Sequence, residues 1–395
     1  MKRIISALLI LCILLCVPIT IIAESGINYA AEWQTTYSDS PKLDLGHEVG
    51  GAYLCEASTG QMLYAENDLV AASPASVTKV MTLLLVCEAL DAGRFKLDDM
   101  VRVSARAASM GGSQVFLEEG ERISVEDLIK SAVIASGNDA SVALAELTAG
   151  SEGEFVKLMN RRAAELGLKN TSFENTTGLD DDTVNHYSCA YDIAVMSREL
   201  IKHPIILQYS SIWQDSIRNG EFTLTNTNRL VRYYDGCNGL KTGSTDKAGY
   251  CVTVTAKRGN MQLIAVVMGA KTKEERNAVA SRLLDFGFAS YGLYEADEQM
   301  VESVRVTKGY LDSVALYSTP FSAVIDKGGL SAVEKKYDIP ESISAPVSEG
   351  EIVGSVVYIL DGVEIGKSDI YASCSIEKIK FTDLLGRILK RIICG

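Results

Sequence analysis

Residues 72–79 read Ala-Ser-Pro-Ala-Ser-Val-Thr-Lys, and residues 76–90 continue as SVTKVMTLLLVCEAL. After its first turn this run is apolar on every side, which predicts a helix buried all round. Pro74 stands just before it as an entry signal. A serine and a lysine at the mouth of such a helix are costly unless they are paired or functional. Three residues apart on a helix, Ser76 and Lys79 share a face, so the lysine amine can reach the serine hydroxyl. A lysine in a partly desolvated site has a lowered pKa and can accept a serine proton. The helix N-terminus adds free N–H groups and a positive dipole end, which favour developing negative charge.

Outward from this helix the periodicity changes in blocks. Residues 52–56 and 61–65 read as strands around a Ser-Thr-Gly turn. Ser124 opens a helix with a capping-box pattern, and residues 152–166 and 190–202 are helical in pattern. Residues 249–257 and 261–269 are strands joined at Arg258-Gly259-Asn260, followed by an amphipathic helix over 274–291. Beyond about residue 295, short β-like runs at 301–307, 313–317, 322–325, 352–360 and 364–371 follow one another with no long helix between them. The expected fold class is therefore α/β (α+β), with a small all-β domain appended to the first. The expected divisions are a signal peptide at 1–23, a leader at 24–45, a catalytic domain at 46–294, a β-rich domain at 295–378 and an amphipathic helix at 379–395.

Composition narrows the chemistry. The 395 residues are 47% hydrophobic and 23% charged, which is globular composition long enough for two domains. The net charge of −13 sets nucleic-acid binding aside, except for a local patch. The three histidines, His47, His186 and His203, lie far apart with no His-x-x-x-His pair. That argues against a zinc hydrolase and leaves a Ser-His-Asp triad only if one of them happens to be placed for it. Two of the nine cysteines fall in the signal; the other seven are odd in number and irregularly spaced, so they read mostly as buried free thiols. Lys2 and Arg3 precede an apolar run over 4–22 and then Ala23, a secretory signal pattern; an uncleaved anchor is the alternative. At the other end, Phe381, Leu384, Leu385, Ile388, Leu389, Ile392 and Ile393 recur at helical spacing, with Arg387, Lys390 and Arg391 mostly off that stripe. This predicts binding to an anionic membrane surface through residues 381–395; packing on its own domain or a dimer contact is the alternative.

Ser-x-x-Lys alone is a weak signal, since Ser244–Lys247 and Ser375–Lys378 also fit it. Two further elements give it weight. Ser136-Gly137-Asn138 lies between helical stretches at 125–135 and 139–148, where a hydroxyl and an amide can point into a cleft; taken alone it reads as a helix C-cap. Lys241-Thr242-Gly243 supplies a charge, a hydroxyl and a close backbone approach just before the strand at Gly249.

In this order the three motifs resemble those of the low-molecular-mass penicillin-binding proteins, the serine-type D-alanyl-D-alanine carboxypeptidases. The resemblance spans nearly the whole chain. It extends to Phe173 through Leu179, to His186-Tyr187-Ser188 with Asp192, and to the stretch from Ala345-Pro346-Val347 to Gly354. It implies an antiparallel sheet with a helical subdomain and no cofactor or metal. It also implies Ser76 as nucleophile toward the penultimate D-alanine of a peptidoglycan stem peptide, with Lys79 as its base. Ser136 would relay protons, Asn138 would bond the substrate amide, and Lys241 would set the electrostatics. Thr242 and Arg276 would hold the terminal carboxylate, Gly243 would allow close approach, and N–H groups of Ser76 and Ser244 would form the oxyanion hole. For Arg276, a solvated helix charge beside Glu274 and Glu275 is the other reading. β-Lactam antibiotics would be covalent inhibitors, and the enzyme would work outside the cell, at the outer face of the cytoplasmic membrane or in the wall.

The chain departs from the family pattern at two places. Asn175-Thr176-Thr177-Gly178-Leu179 stands where Asn-Pro-x-Gly-Leu is usual, and Cys189 stands where a threonine is familiar. The rival readings are a β-lactamase of the same fold and a non-catalytic sensor of wall fragments or antibiotic. The first lacks a Glu-x-x-Leu-Asn loop, since Glu174 is followed by Asn-Thr-Thr; the second is opposed by intact Ser76, Lys79, Ser136 and Lys241.

Overall fold

The computed structural model describes residues 43–394 except Asp182, so the signal and nearly all of the leader lie outside the described residues. The central sheet is antiparallel. It consists of β1 (Gly51–Glu56), β2 (Met62–Glu66), β3 (Cys237–Thr245), β4 (Gly249–Arg258) and β5 (Met261–Ala270), in the order β2-β1-β5-β4-β3. The middle strands read as unbroken apolar runs because both of their faces are covered. Tyr53, Cys55, Cys251, Ile264, Val266 and Met268 point into a helical core on one side. Their alternates Ala52, Leu54, Val252, Val254, Leu263, Ala265 and Val267 pack on the opposite side.

The helical core contains α1 (Lys79–Asp91), α2 (Val125–Ile134), α3 (Asn138–Ala149), α4 (Glu152–Glu165) and α5 (Ala190–Leu200). The opposite face is covered by α6 (Lys273–Ser290), which buries Arg276, Val279, Ala280, Leu283, Leu284, Gly287 and Phe288 along one stripe. Helix α1 is buried over most of its length, with Leu85, Glu88 and Leu90 half-buried and only Asp91 at its end exposed, but it begins at Lys79. Residues Ala75–Thr78 form a 3₁₀ turn ahead of it. In a 3₁₀ turn, side chains three apart eclipse one another, which aligns Ser76 with Lys79 more directly than an α-helix would.

The C-terminal part begins with β6 (Tyr291–Ala296), which leaves α6 without a loop and pairs with β9 (Phe321–Asp326). The remaining strands are β7 (Gln299–Thr307), β8 (Ser313–Ser318), β10 (Glu334–Asp338), β11 (Ser342–Ser344), β12 (Ile352–Leu360) and β13 (Val363–Ala372). They form a six-stranded sheet in the order β10-β12-β13-β8-β7-β11 over a core of Val304, Val306, Leu316, Val356, Tyr358 and Ile370. Gln61 Nε2 donates to Val324 O and Asn260 Nδ2 to Leu293 O, both at 3.1 Å, fastening this part to the first. The chain closes with α7 (Phe381–Cys394), on which Phe381, Leu384, Leu385 and Ile392 are exposed. Tyr310 donates to the Asp383 carboxylate and tethers its first turn. Among the described residues no helix is long and apolar enough to cross a membrane.

Candidate active site

Three walls meet at the mouth of α1. The 3₁₀ turn carries Ser76, and Ala75 before it holds a left-handed φ of 47°. The turn between α2 and α3 carries Ser136, also left-handed at φ 62°, and Asn138 as the first residue of α3. Strand β3 carries Lys241 through Ser244. Non-glycine residues in that region of φ are strained, and such strain persists only where the surroundings over-determine it.

The Lys79 amine is fully buried and donates to Ser76 Oγ at 2.9 Å, Asn138 Oδ1 at 2.7 Å and Thr177 O at 2.8 Å. Burial, and then the charge of Lys241, hold its pKa well below that of an ordinary lysine; Asp139 pulls the other way. Lys241, 1% exposed, donates to Ser136 Oγ and to Thr242 O, both at 2.8 Å. Burial followed by the neighbouring Arg276 lowers its pKa to about 7. Each motif serine is thus paired with its own buried lysine.

The other expected residues fall around these pairs. A Cβ on Gly243 would lie 2.7 Å from Ser76 N and 2.8 Å from Val77 N, so only glycine lets β3 approach the Ser76 turn this closely. Ser244 follows it, exposed on the strand. Thr242 Oγ1 donates to Thr227 Oγ1 at 2.8 Å. Arg276 is buried, not solvated; its Nε and Nη2 bond the Asn277 side chain at 3.1 and 3.0 Å. It reaches Lys241 through its charge, and no hydrogen bond joins it to Thr242 or Ser244 among the described residues.

Several residues outside the motifs complete the site. Asp139, 1% exposed, accepts from the backbone N–H groups of Val115 and Leu117 at 3.0 and 3.1 Å, fixing the loop beside Asn138. His186 Nδ1 accepts from Glu174 N at 3.0 Å, so its Nε2 carries the proton toward Thr78 Oγ1 at 2.7 Å. Asp180 Oδ2 joins Ser73 to Thr245 at 3.0 and 2.5 Å. His186 is committed to Thr78 and His203 to Asp91, so neither serves Ser76 as a base. A signal for Asp139 and His186 exists in the sequence, since both adjoin quoted motifs; Thr227 has none.

The model for the D-alanyl-D-alanine carboxypeptidases matches residues 37–272, well over half the chain. The chain belongs to that family. The carboxypeptidase also matches the model for the C-terminal domain of penicillin-binding protein 5, over residues 288–378. It is 44% identical to the D-alanyl-D-alanine carboxypeptidase DacF of Bacillus subtilis over 98% of both chains. Among solved structures it is similar to penicillin-binding protein 5 of Haemophilus influenzae, with TM-score 0.75 and 33% identity, over 84% of this chain and 98% of that one. Penicillin-binding protein D2 of Listeria monocytogenes, solved in an ampicillin-bound form, matches with TM-score 0.57 and 32% identity over 62% of this chain and 99% of that one. The protein is a serine-type D-Ala-D-Ala carboxypeptidase, a hydrolase of peptidoglycan metabolism.

The carboxypeptidase accommodates both sequence departures. Asn175 Oδ1 accepts from Thr177 N and Gly178 N, and its amide donates to Leu179 O, holding the loop that offers Thr177 O to Lys79. Thr176, where proline is usual, donates its hydroxyl to Glu152 at 3.0 Å. Cys189 caps α5 by accepting from Asp192 N at 3.4 Å, the task a threonine oxygen would perform. Six cysteines, from Cys55 to Cys374, are free, in keeping with their reading as thiols.

Proposed function

We propose that Ser76 is the nucleophile and Lys79 its general base. The observation that carries this is the buried Lys79 amine, 2.9 Å from Ser76 Oγ, in surroundings that oppose its protonation. Deprotonated, Lys79 takes the Ser76 proton as Oγ bonds the carbonyl carbon of the penultimate D-alanine. The backbone N–H groups of Ser76 and Ser244 stabilise the oxyanion. As the C–N bond breaks, Ser136, paired with Lys241, relays a proton to the departing terminal D-alanine and is restored by the proton that Lys79 took, which leaves Lys79 neutral again. Water then attacks the ester and returns the proton to Ser76. Asn138 aligns the substrate amide, while Thr242 and Arg276 receive the terminal carboxylate in the positive field of Lys241. β-Lactams acylate the same serine.

The β-lactamase alternative finds no support in the loop over 174–180. Glu174 accepts from Val184 N and faces outward, and Asp180 is tied to Ser73 and Thr245, so neither carboxylate adjoins Lys79. The test of the assignment is Ser76→Ala. The variant should release no D-alanine from a stem-peptide substrate and take up no labelled penicillin. A covalent adduct on the folded variant would transfer the role to another serine.

We also propose that the chain is exported on residues 1–23 and rests on anionic lipid at the outer face of the cytoplasmic membrane. The exposed apolar side chains of α7 and its basic residues support that reading. So does a substrate that lies outside the cytoplasm.

A further inference from the structure

Thr227 belongs to none of the sequence motifs, yet the fold builds a dedicated mount for it. It occupies the turn between the strand Phe222–Thr225 and the short helix Leu230–Tyr233. The asparagines on either side are buried, at 5% and 1% exposure, and their amides are spent on backbone. Asn226 Nδ2 donates to Ser210 O and Ile212 O, and its Oδ1 accepts from Asn228 N. Asn228 Nδ2 donates to Gly239 O on β3, and its Oδ1 accepts from Leu230 N. Thr227 itself is exposed. Its backbone N–H donates to Ile134 O, two residues before Ser136, so one residue ties the Ser136 wall to the β3 wall.

The hydroxyl matters more than the backbone. Thr242 spends its single hydroxyl proton on Thr227 Oγ1. Thr227 therefore keeps its own proton, and no group among the described residues accepts it. That proton ends a two-hydroxyl chain, and accepting from Thr242 strengthens it as a donor. It lies beside a threonine next to buried Lys241, with Arg276 contributing further positive charge. A donor set in a positive field selects an anion.

We infer that Thr227 is a specificity-determining residue: accepting from Thr242, it donates its own hydroxyl proton to the substrate's C-terminal carboxylate, selecting free peptide ends over ends that carry no charge there. The inference rests on the reading that the carboxylate docks beside Thr242 and Lys241. Neither hydroxyl is needed for the chemistry at Ser76.

The test compares Thr227→Val, which keeps the shape without the hydroxyl, with Thr227→Ser, which restores the hydroxyl. Two substrates are used: a peptide ending in D-Ala-D-Ala, and an acyl-D-alanyl thioester whose leaving group bears no carboxylate. A hydrogen bond to a charged group is worth roughly 10–150-fold. Thr227→Val should therefore lose at least about 10-fold in kcat/KM on the peptide while staying within about twofold on the thioester. Thr227→Ser should recover most of the loss. Equal losses on both substrates, or no loss on the peptide, overturn the inference. Thr242→Val, measured alongside, separates the two failures. If it discriminates between the substrates and Thr227→Val does not, Thr227 alone is misassigned; if neither does, the carboxylate site lies elsewhere.

Discussion

His186 should make the protein acid-labile in a defined window. Its Nδ1 accepts from Glu174 N, and its Nε2 donates to Thr78, one residue before Lys79. Protonating the ring removes the acceptor at Nδ1 and places a charge in a buried position. Burial lowers its pKa from 6.5 to about 4; nearby Glu174 and Asp180 oppose this, and Lys247 reinforces it. The unfolded chain thus binds this proton first, so stability falls as pH drops from about 6.5 and stops falling below about 4. The full shift corresponds to about 3 kcal/mol, of which about 2 kcal/mol is lost by pH 5. For a domain of this size that lowers Tm by roughly 4–8 °C. The assay is a thermal melt at pH 7.5 and pH 5 on the wild type and on His186→Gln, which cannot titrate. The variant leaves Glu174 N without its acceptor and should start about 1–3 kcal/mol less stable. It should then lose less Tm on acidification than the wild type, by the amount above. Identical losses in the two proteins would refute the reasoning, because other carboxylates and histidines are common to both.

Lys79→Arg keeps a charge and removes the base, because arginine does not deprotonate; acylation by labelled penicillin should slow by at least about 100-fold in a folded protein. Gly178→Ala should destabilise the fold by on the order of 1–3 kcal/mol or more, read as a lowered Tm. Gly178 has φ +83°, and an added Cβ would stand 1.8 Å from Ala75 O. Acylation should slow in the same variant, because the displaced loop is the one that offers Thr177 O to Lys79. Deleting residues 381–395 should abolish sedimentation with anionic liposomes and leave small-peptide hydrolysis unchanged. Equal sedimentation of both forms would move the anchor to the N-terminal apolar segment.

Elements with strong periodicity were legible from sequence, and their ends were set by forces that periodicity does not record. The buried α1 was plain, but its start at Lys79 follows from β3 pressing on the turn at Ser76, a contact between residues far apart in sequence. Strand β6 was hidden because it continues from α6 with no turn residue between them. The charged β10, Glu-Lys-Lys-Tyr-Asp, is an edge strand and lacks the alternation of a half-buried one. In the site, the three motifs marked Ser76, Ser136 and Lys241 because their residue types have few other uses together. The pairing of Lys241 with Ser136 and the use of Thr177 O by Lys79 join residues 105 and 98 apart in sequence, while Thr227, only 15 residues before Thr242, belongs to no motif that would mark it. Arg276 was legible as a candidate, and its burial was not, because Glu274 and Glu275 give that turn the look of a solvated surface.

The central claim, that Ser76 is the residue acylated, is tested most directly by mass spectrometry of the protein after brief exposure to penicillin. The intact mass should rise by one penicilloyl group, and the peptide bearing it should map the modification to Ser76, while Ser76→Ala, folded to the same Tm, should gain nothing. An adduct on Ser136, Ser244 or any other residue, or undiminished labelling of Ser76→Ala, would contradict the account.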